Sequence, residues 1–233
     1  MKIKGRWLAQ AVEMIDGSIT KIVEMLCVVI VIFVGYVLID KNVVERGVDV
    51  AVAKIKADGV NDFSKYDGMV GWLRIEGTHI DYPVMQGRDN EWYLRHDFEN
   101  NYAAAGSVFV DYRNALEDDY LVIYGHRMTG GAMFSDIGNY ADEAYLEKYR
   151  LGQLLLGDEE YEMQVLAYAE IFATDRRFYG IGSLTNEEIL REMRYEIING
   201  ALPDNAERLA LLSTCDAMRN DRRDVLLVSL NKK

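Results

Sequence analysis

Met25 to Ile39 reads MLCVVIVIFVGYVLI and carries no charge, and nothing else in the 233 residues limits the fate of this chain so strongly. Fifteen helical residues rise about 22 Å at ~1.5 Å each. A bilayer core needs roughly 20 residues. Extension back to Ile19 supplies the missing turn and takes in Lys21 and Glu24. Lys21 can snorkel to the headgroups, and Glu24 has to sit near the interface. The run is apolar on all sides, unlike the single stripe of a surface helix in a soluble domain. With no A-x-A-like cleavage site after it, the run reads as an uncleaved signal anchor. Lys2, Lys4, Arg6 and Lys21 precede or enter it, and Lys41 and Arg46 follow. That bias favours a cytoplasmic N-terminus and an external C-terminal part. Cys27, inside the run, reads as a small apolar residue in lipid.

The expected organisation is a cytoplasmic segment over 1–18, a membrane span over 19–40, a juxtamembrane helix and linker over 41–66, and a folded domain over 67–233. From Met69 on, short β-rich runs dominate: MVGWLRI, HIDYPVM, SVFVDY, YLVIYGH, GQLLL, YEMQVLAYAEIFAT, RLALLST and DVLLVSL. β-branched and aromatic residues bounded by turn formers give strands, and GDEE between the fifth and sixth runs reads as a hairpin turn. Helices are expected at Asp89–Arg95, Asp142–Tyr149 and Asn186–Ile198. The last has Thr185 as cap and Glu188 three residues on. Many short strands with a few inserted helices point to a mainly β fold, a closed barrel decorated with helices.

Composition narrows the function. Acidic residues number 38 and basic ones 26, so the net charge is 26 − 38 = −12. A general nucleic-acid binder needs a basic face instead. Two Cys and three His exclude a disulfide-stapled scaffold and a Cys-rich zinc site. The acidic surplus holds no D-x-D-x-D-G calcium loop, and no cofactor is expected.

Cys215 is the only Cys outside the apolar run, and it ends the strand-like LALLSTC. Arg219, Arg222 and Arg223 follow within eight residues. A neighbouring cation stabilises a thiolate and can hold an oxyanion. His126 ends another strand-like run, with Gly125 before it to let the chain turn. A Cys and a sequence-distant His form the pattern of a thiol nucleophile and its base. Taken alone, that pattern fits a structural Cys and a structural His as well. His79 and His96 read as surface or supporting residues.

Three ordered segments carry a resemblance. GWLRIEGTHIDYPVMQGRDNEWYLRHDFENNYAAAGSVFVDYRN (Gly71 to Asn114), LVIYGHRMTGGAMFSDI, and LLSTC with Arg223 eight residues after Cys215 together resemble a class B sortase. The similarity runs from about Tyr66 to Leu230. It implies a membrane-anchored cysteine transpeptidase on the outer face of a Gram-positive cell. Such an enzyme cleaves a C-terminal sorting signal, Asn-Pro-x-Thr-like or Pro-x-Thr-Gly-like, after its Thr. It then passes the secreted protein to an amine of a peptidoglycan precursor. By the same resemblance Cys215 is the nucleophile, His126 the general acid and then base, and Arg223 the group that holds substrate backbone or oxyanion.

Arg222 competes with Arg223, because strand neighbours face opposite ways. Asp224 stands where the family usually has an apolar residue. The resemblance also assigns substrate contacts to Asn90, Leu94, Ser213, Thr214, Asp216, Thr174, Phe178 and Tyr179. A pilus-assembly sortase using a pilin Lys as acceptor is one alternative. A catalytically silent, membrane-tethered binding domain is another.

Overall fold

Apolar residues here come in two patterns, and each builds a different unit. The structure is a computed structural model, and it describes residues 18–35, 52–53, 55–56, 63–128, 131–215 and 221–233. The first unit, within residues 1–43, contains helix α1 (Ser18–Gly35), long and apolar enough to cross a membrane, with a mean hydropathy of 2.3. The second unit spans residues 44–233. Of the juxtamembrane helix and linker expected over 41–66, residues 52–53 and 55–56 are helical, and 41–51, 54 and 57–62 lie outside the described residues.

Among the described residues the second unit forms a sheet of nine strands: β1 (Met69–Ile75), β2 (Asp81–Gln86), β3 (Val108–Val110), β4 (Tyr120–His126), β5 (Leu151–Leu156), β6 (Glu159–Phe172), β7 (Ile197–Gly200), β8 (Leu209–Cys215) and β9 (Arg222–Lys232). Their order is β5-β1-β2-β3-β4-β8-β9-β6-β7, and β5 also pairs with β6. That extra pairing closes eight strands into a barrel and leaves β7 outside the ring. The long β6 makes this arrangement workable. One of its edges is shared, β5 taking Glu159–Gln164 and β7 taking Ala167–Ala169. The other edge pairs with β9 along almost its whole length. The pairs β2–β3 and β4–β8 are parallel and the rest antiparallel, so the barrel is mixed.

Continuous apolar strands need cover on both faces. Leu121, Ile123, Leu212, Leu226 and Val228 fill the barrel interior. Their strand neighbours Val122, Leu211, Val225 and Leu227 face outward and pack against Phe178 and against Ile189, Leu190 and Met193 of a covering helix. That helix, α4 (Asn186–Met193), starts at the expected capping box: Thr185 accepts from the Glu188 amide, and the Glu188 side chain accepts from Thr185. Helices α2 (Glu143–Lys148) and α3 (Arg176–Tyr179) are short, and Asp142 and Asp175 cap them.

Three expected elements are corrected. The helix expected to run to Ile198 stops at Met193, and Ile197–Gly200 instead pairs with β6 as β7. The helix expected over Asp89–Arg95 is a single 3₁₀ turn, Trp92–Leu94. Asp89 turns the chain there by accepting from the Glu91 and Trp92 amides. SVFVDY is a strand only over Val108–Val110; the Asp111 amide still donates to the Val122 carbonyl of β4, and its side chain anchors a buried polar cluster.

Candidate functional site

Strand register brings the sequence-distant candidates together. In the parallel β4–β8 pair, Tyr124 lies opposite Ser213, Gly125 opposite Thr214 and His126 opposite Cys215. In the antiparallel β8–β9 pair, Ser213 lies opposite Val225. Beyond that pair the Thr214 hydroxyl bonds the Asp224 backbone, and Cys215 and Arg223 are the next residues on their strands. The ends of three adjacent strands thus carry His126, Cys215 and Arg223. Alternation along a strand separates two faces. Tyr124 and His126 share one parity on β4, Ser213 shares the outward parity of Leu209 and Leu211 on β8, and Arg223 shares that of Val225 and Leu227 on β9.

His126 is half-buried, and its Nε2 lies 2.7 Å from the Leu94 carbonyl oxygen. A carbonyl can only accept, so Nε2 carries a proton and donates it there. In the neutral ring this leaves Nδ1 as the nitrogen with a free lone pair. Gly125 shapes the same spot, though not by a sharp turn as expected: it is a regular strand residue, outside the left-handed region. What it provides is room, since a Cβ there would lie 2.7 Å from the Phe134 ring.

On this outer face lies a groove of about 530 Å³. Asn90, Leu94, Thr174, Tyr179, Ser213 and Arg223, all expected, line it, together with Tyr124, Arg113 and Arg176, which were not. Three guanidinium groups therefore line one groove of a chain with net charge −12. Asp111 organises its floor. This buried carboxylate accepts from Arg113 at 2.7 and 2.8 Å, from Asn90 Nδ2 at 2.9 Å and from the Tyr124 hydroxyl at 3.0 Å. Burial opposes its ionisation, but the Arg113, Asn90 and Tyr124 hydrogen bonds outweigh that and hold it below the usual carboxylate range. The Tyr124 phenol is pushed well up, by burial first and by Asp111 second. Tyr179 and Ser213 share a 2.9 Å hydrogen bond across the groove.

Arg222 is exposed, with its guanidinium 4.7 Å from the Phe172 ring centroid, and does not line the groove. Two expected substrate contacts do not line the groove. Phe178 is fully buried in the layer beneath α4, and its carbonyl accepts from the Tyr120 hydroxyl. Thr214 is also fully buried, with strand parity opposite to Ser213, and its hydroxyl bonds the Asp224 backbone at 3.1 Å. Asp216 lies outside the described residues. His79 lies 3.0 Å from Asp136, and His96 stacks on Trp92 at 3.7 Å; neither lines the groove. Among the described residues no cluster of His, Cys, Asp or Glu is arranged to hold a metal ion. Tyr124 was legible in principle, being two residues before His126 on one strand. Asp111, Arg113 and Arg176 carried no local signal.

No family model matches this chain. It is 33% identical over 181 residues to sortase B of Listeria monocytogenes, covering 73% of this chain and 72% of that protein. It resembles the structure of a Staphylococcus aureus sortase B–substrate complex with a TM-score of 0.67 and 25% identity, covering 80% of this chain and 92% of the other. A Streptococcus pyogenes class B sortase involved in pilus biogenesis matches with a TM-score of 0.66 and 26% identity, covering 76% and 99%.

Proposed function

Since the chain belongs to the sortase B family of cysteine transpeptidases, we propose that it cleaves a C-terminal sorting signal after Thr, through Cys215, and transfers the acyl group to an amine of the cell-wall precursor. The observation that supports this reading is the register that pairs His126 with Cys215 on neighbouring strands, next to the strand end that bears Arg223, a residue of the groove.

Each role follows from chemistry. The Cys215 sulfur attacks the Thr carbonyl carbon as thiolate, the nucleophilic form. The C–N bond breaks, and His126 protonates the leaving amine. With Nε2 tied to Leu94, Nδ1 is the nitrogen that exchanges protons. The incoming amine then gives a proton to His126 and attacks the thioester, which frees Cys215. Arg223 donates to the carbonyl oxygen as negative charge develops. Asn90, Leu94, Thr174, Tyr179 and Ser213 contact the signal, which is Asn-Pro-x-Thr-like or Pro-x-Thr-Gly-like. Helix α1 is the single membrane span within 19–40. Residues 1–18 lie in the cytoplasm, 41–66 link, and 67–233 form the extracellular catalytic domain.

The test uses the full chain in detergent micelles. It is mixed with libraries of both signal types and two amines, a wall-precursor peptide and a pilin-type Lys peptide, and products are identified by mass. The expected product is a Thr–amide of the wall-precursor peptide, absent with Cys215→Ala. Preferential use of the Lys peptide would establish pilus assembly instead. Adducts formed by Cys215→Ala would overturn the nucleophile assignment.

A further inference from the structure

Arg127, Thr214 and Asp224 each adjoin one of His126, Cys215 and Arg223 along the chain, and Asp224 is bonded to both of the others. Asp224 is 6% exposed, and no part of the groove is made by it. Its Oδ2 accepts from Arg127 at 2.6 Å, and its Oδ1 accepts from the Tyr168 hydroxyl of β6 at 2.9 Å. Its backbone amide donates to the Thr214 hydroxyl, which donates in turn to the Asp224 carbonyl, each at 3.1 Å. One acidic residue thus ties β8, β9 and β6 to the residue that follows β4.

A buried carboxylate is costly unless it is paired and hydrogen-bonded. An apolar side chain would close the barrel end without that cost. What the polar cluster adds is direction, because hydrogen bonds tolerate far less displacement than apolar contacts. Gly138 leaves room for the arrangement, since a Cβ there would crowd the Arg127 guanidinium at 3.3 Å.

We propose that Asp224, clamped by Arg127, Tyr168 and Thr214, is a positioning residue for transpeptidation. It fixes the relative placement of the strand ends that carry His126, Cys215 and Arg223. This rests on the roles given to those three under the proposed function. Asp224 touches no substrate, so its loss impairs the chemical step rather than binding.

The test is steady-state turnover by the full chain in detergent, with the signal peptide that the parent protein processes fastest, so that activity of the parent establishes the underlying reading separately. Asp224→Asn is expected to lower kcat about tenfold with KM within about twofold. Arg127→Met removes the same link and should cost the same, and the double variant no more than either single. Arg127→Lys, which keeps the cation, should recover part of the rate. Tyr168→Phe, which keeps the buried ring, serves where Asp224→Asn fails to fold, and should lower kcat about threefold. A melting-temperature drop with kcat unchanged per folded molecule, a change in KM alone, or additive losses in the double variant would overturn the proposal.

Discussion

Gly125→Ala is the substitution whose consequence can be worked furthest. The added Cβ would lie 2.7 Å from two atoms of the Phe134 ring and 3.1 Å from a third. Ordinary carbon contacts are about 3.5–4.0 Å, so ring or strand has to shift by roughly 1 Å. The ring has no free space, being fully buried. Overpacking of this kind costs about 1–3 kcal/mol. For a domain of this size that lowers Tm by about 2–12 °C, at roughly 2–4 °C per kcal/mol. The effect reaches chemistry because the Phe134 amide donates to the His126 carbonyl at 2.9 Å. A displacement near 1 Å can cost on the order of 100-fold in rate. Thermal melting and peptide turnover of the full chain read both quantities. Phe134→Ala removes the Cγ and Cδ atoms in the way, so the double variant Gly125→Ala/Phe134→Ala should lose less in Tm and kcat than the two single losses added together. Unchanged Tm and kcat in Gly125→Ala, or fully additive losses in the double variant, would refute the argument.

Asp111→Asn should lower stability at neutral pH by about 1–3 kcal/mol, because an amide NH₂ would face the donors of Arg113 and Asn90. The folded pKa of Asp111 lies below its unfolded value. Its contribution is therefore present above the unfolded value of about 3.9 and is lost as pH falls through the lower folded one. Denaturant titrations at pH 7 and pH 3 should show the gap between parent and Asp111→Asn closing in acid. Thr185→Ala removes the capping box of α4 and should cost about 1 kcal/mol, read as a Tm drop of about 2–4 °C; an unchanged Tm contradicts the role given to the cap. Tyr179→Phe deletes the hydrogen bond to Ser213 across the groove. Its expected effect is a higher KM with little change in kcat, and a lower kcat at constant KM contradicts it.

Legibility followed the range of the interaction. The run YLVIYGH is strand β4 to the residue, because β-branched and aromatic residues buried on both faces leave no other choice. The cap at Thr185 was legible because capping is local. The helix end at Met193 was not, because the two Ile residues after it are recruited by the free half of one edge of β6, a tertiary event. The same holds at the site. Cys215 and His126 stand out as chemistry at strand ends, but their adjacency depends on a parallel pairing between strands whose first residues are 209 − 120 = 89 apart. Thr214 and Phe178 resembled substrate contacts in sequence. Strand parity buries the first, and the layer under α4 buries the second. Asp224 looked like a departure from an apolar position, and only the side chains around it account for its charge.

The central claim is that Cys215 forms a thioester with a sorting signal and surrenders it to an amine. Intact-mass analysis of the full chain, quenched in acid soon after mixing with signal peptide, tests this most directly. The account predicts an acyl mass increment that maps to the Cys215 peptide, disappears on addition of amine and never forms with Cys215→Ala. An increment on Cys27, or amide product accumulating while Cys215 stays unmodified under single-turnover conditions, would contradict it.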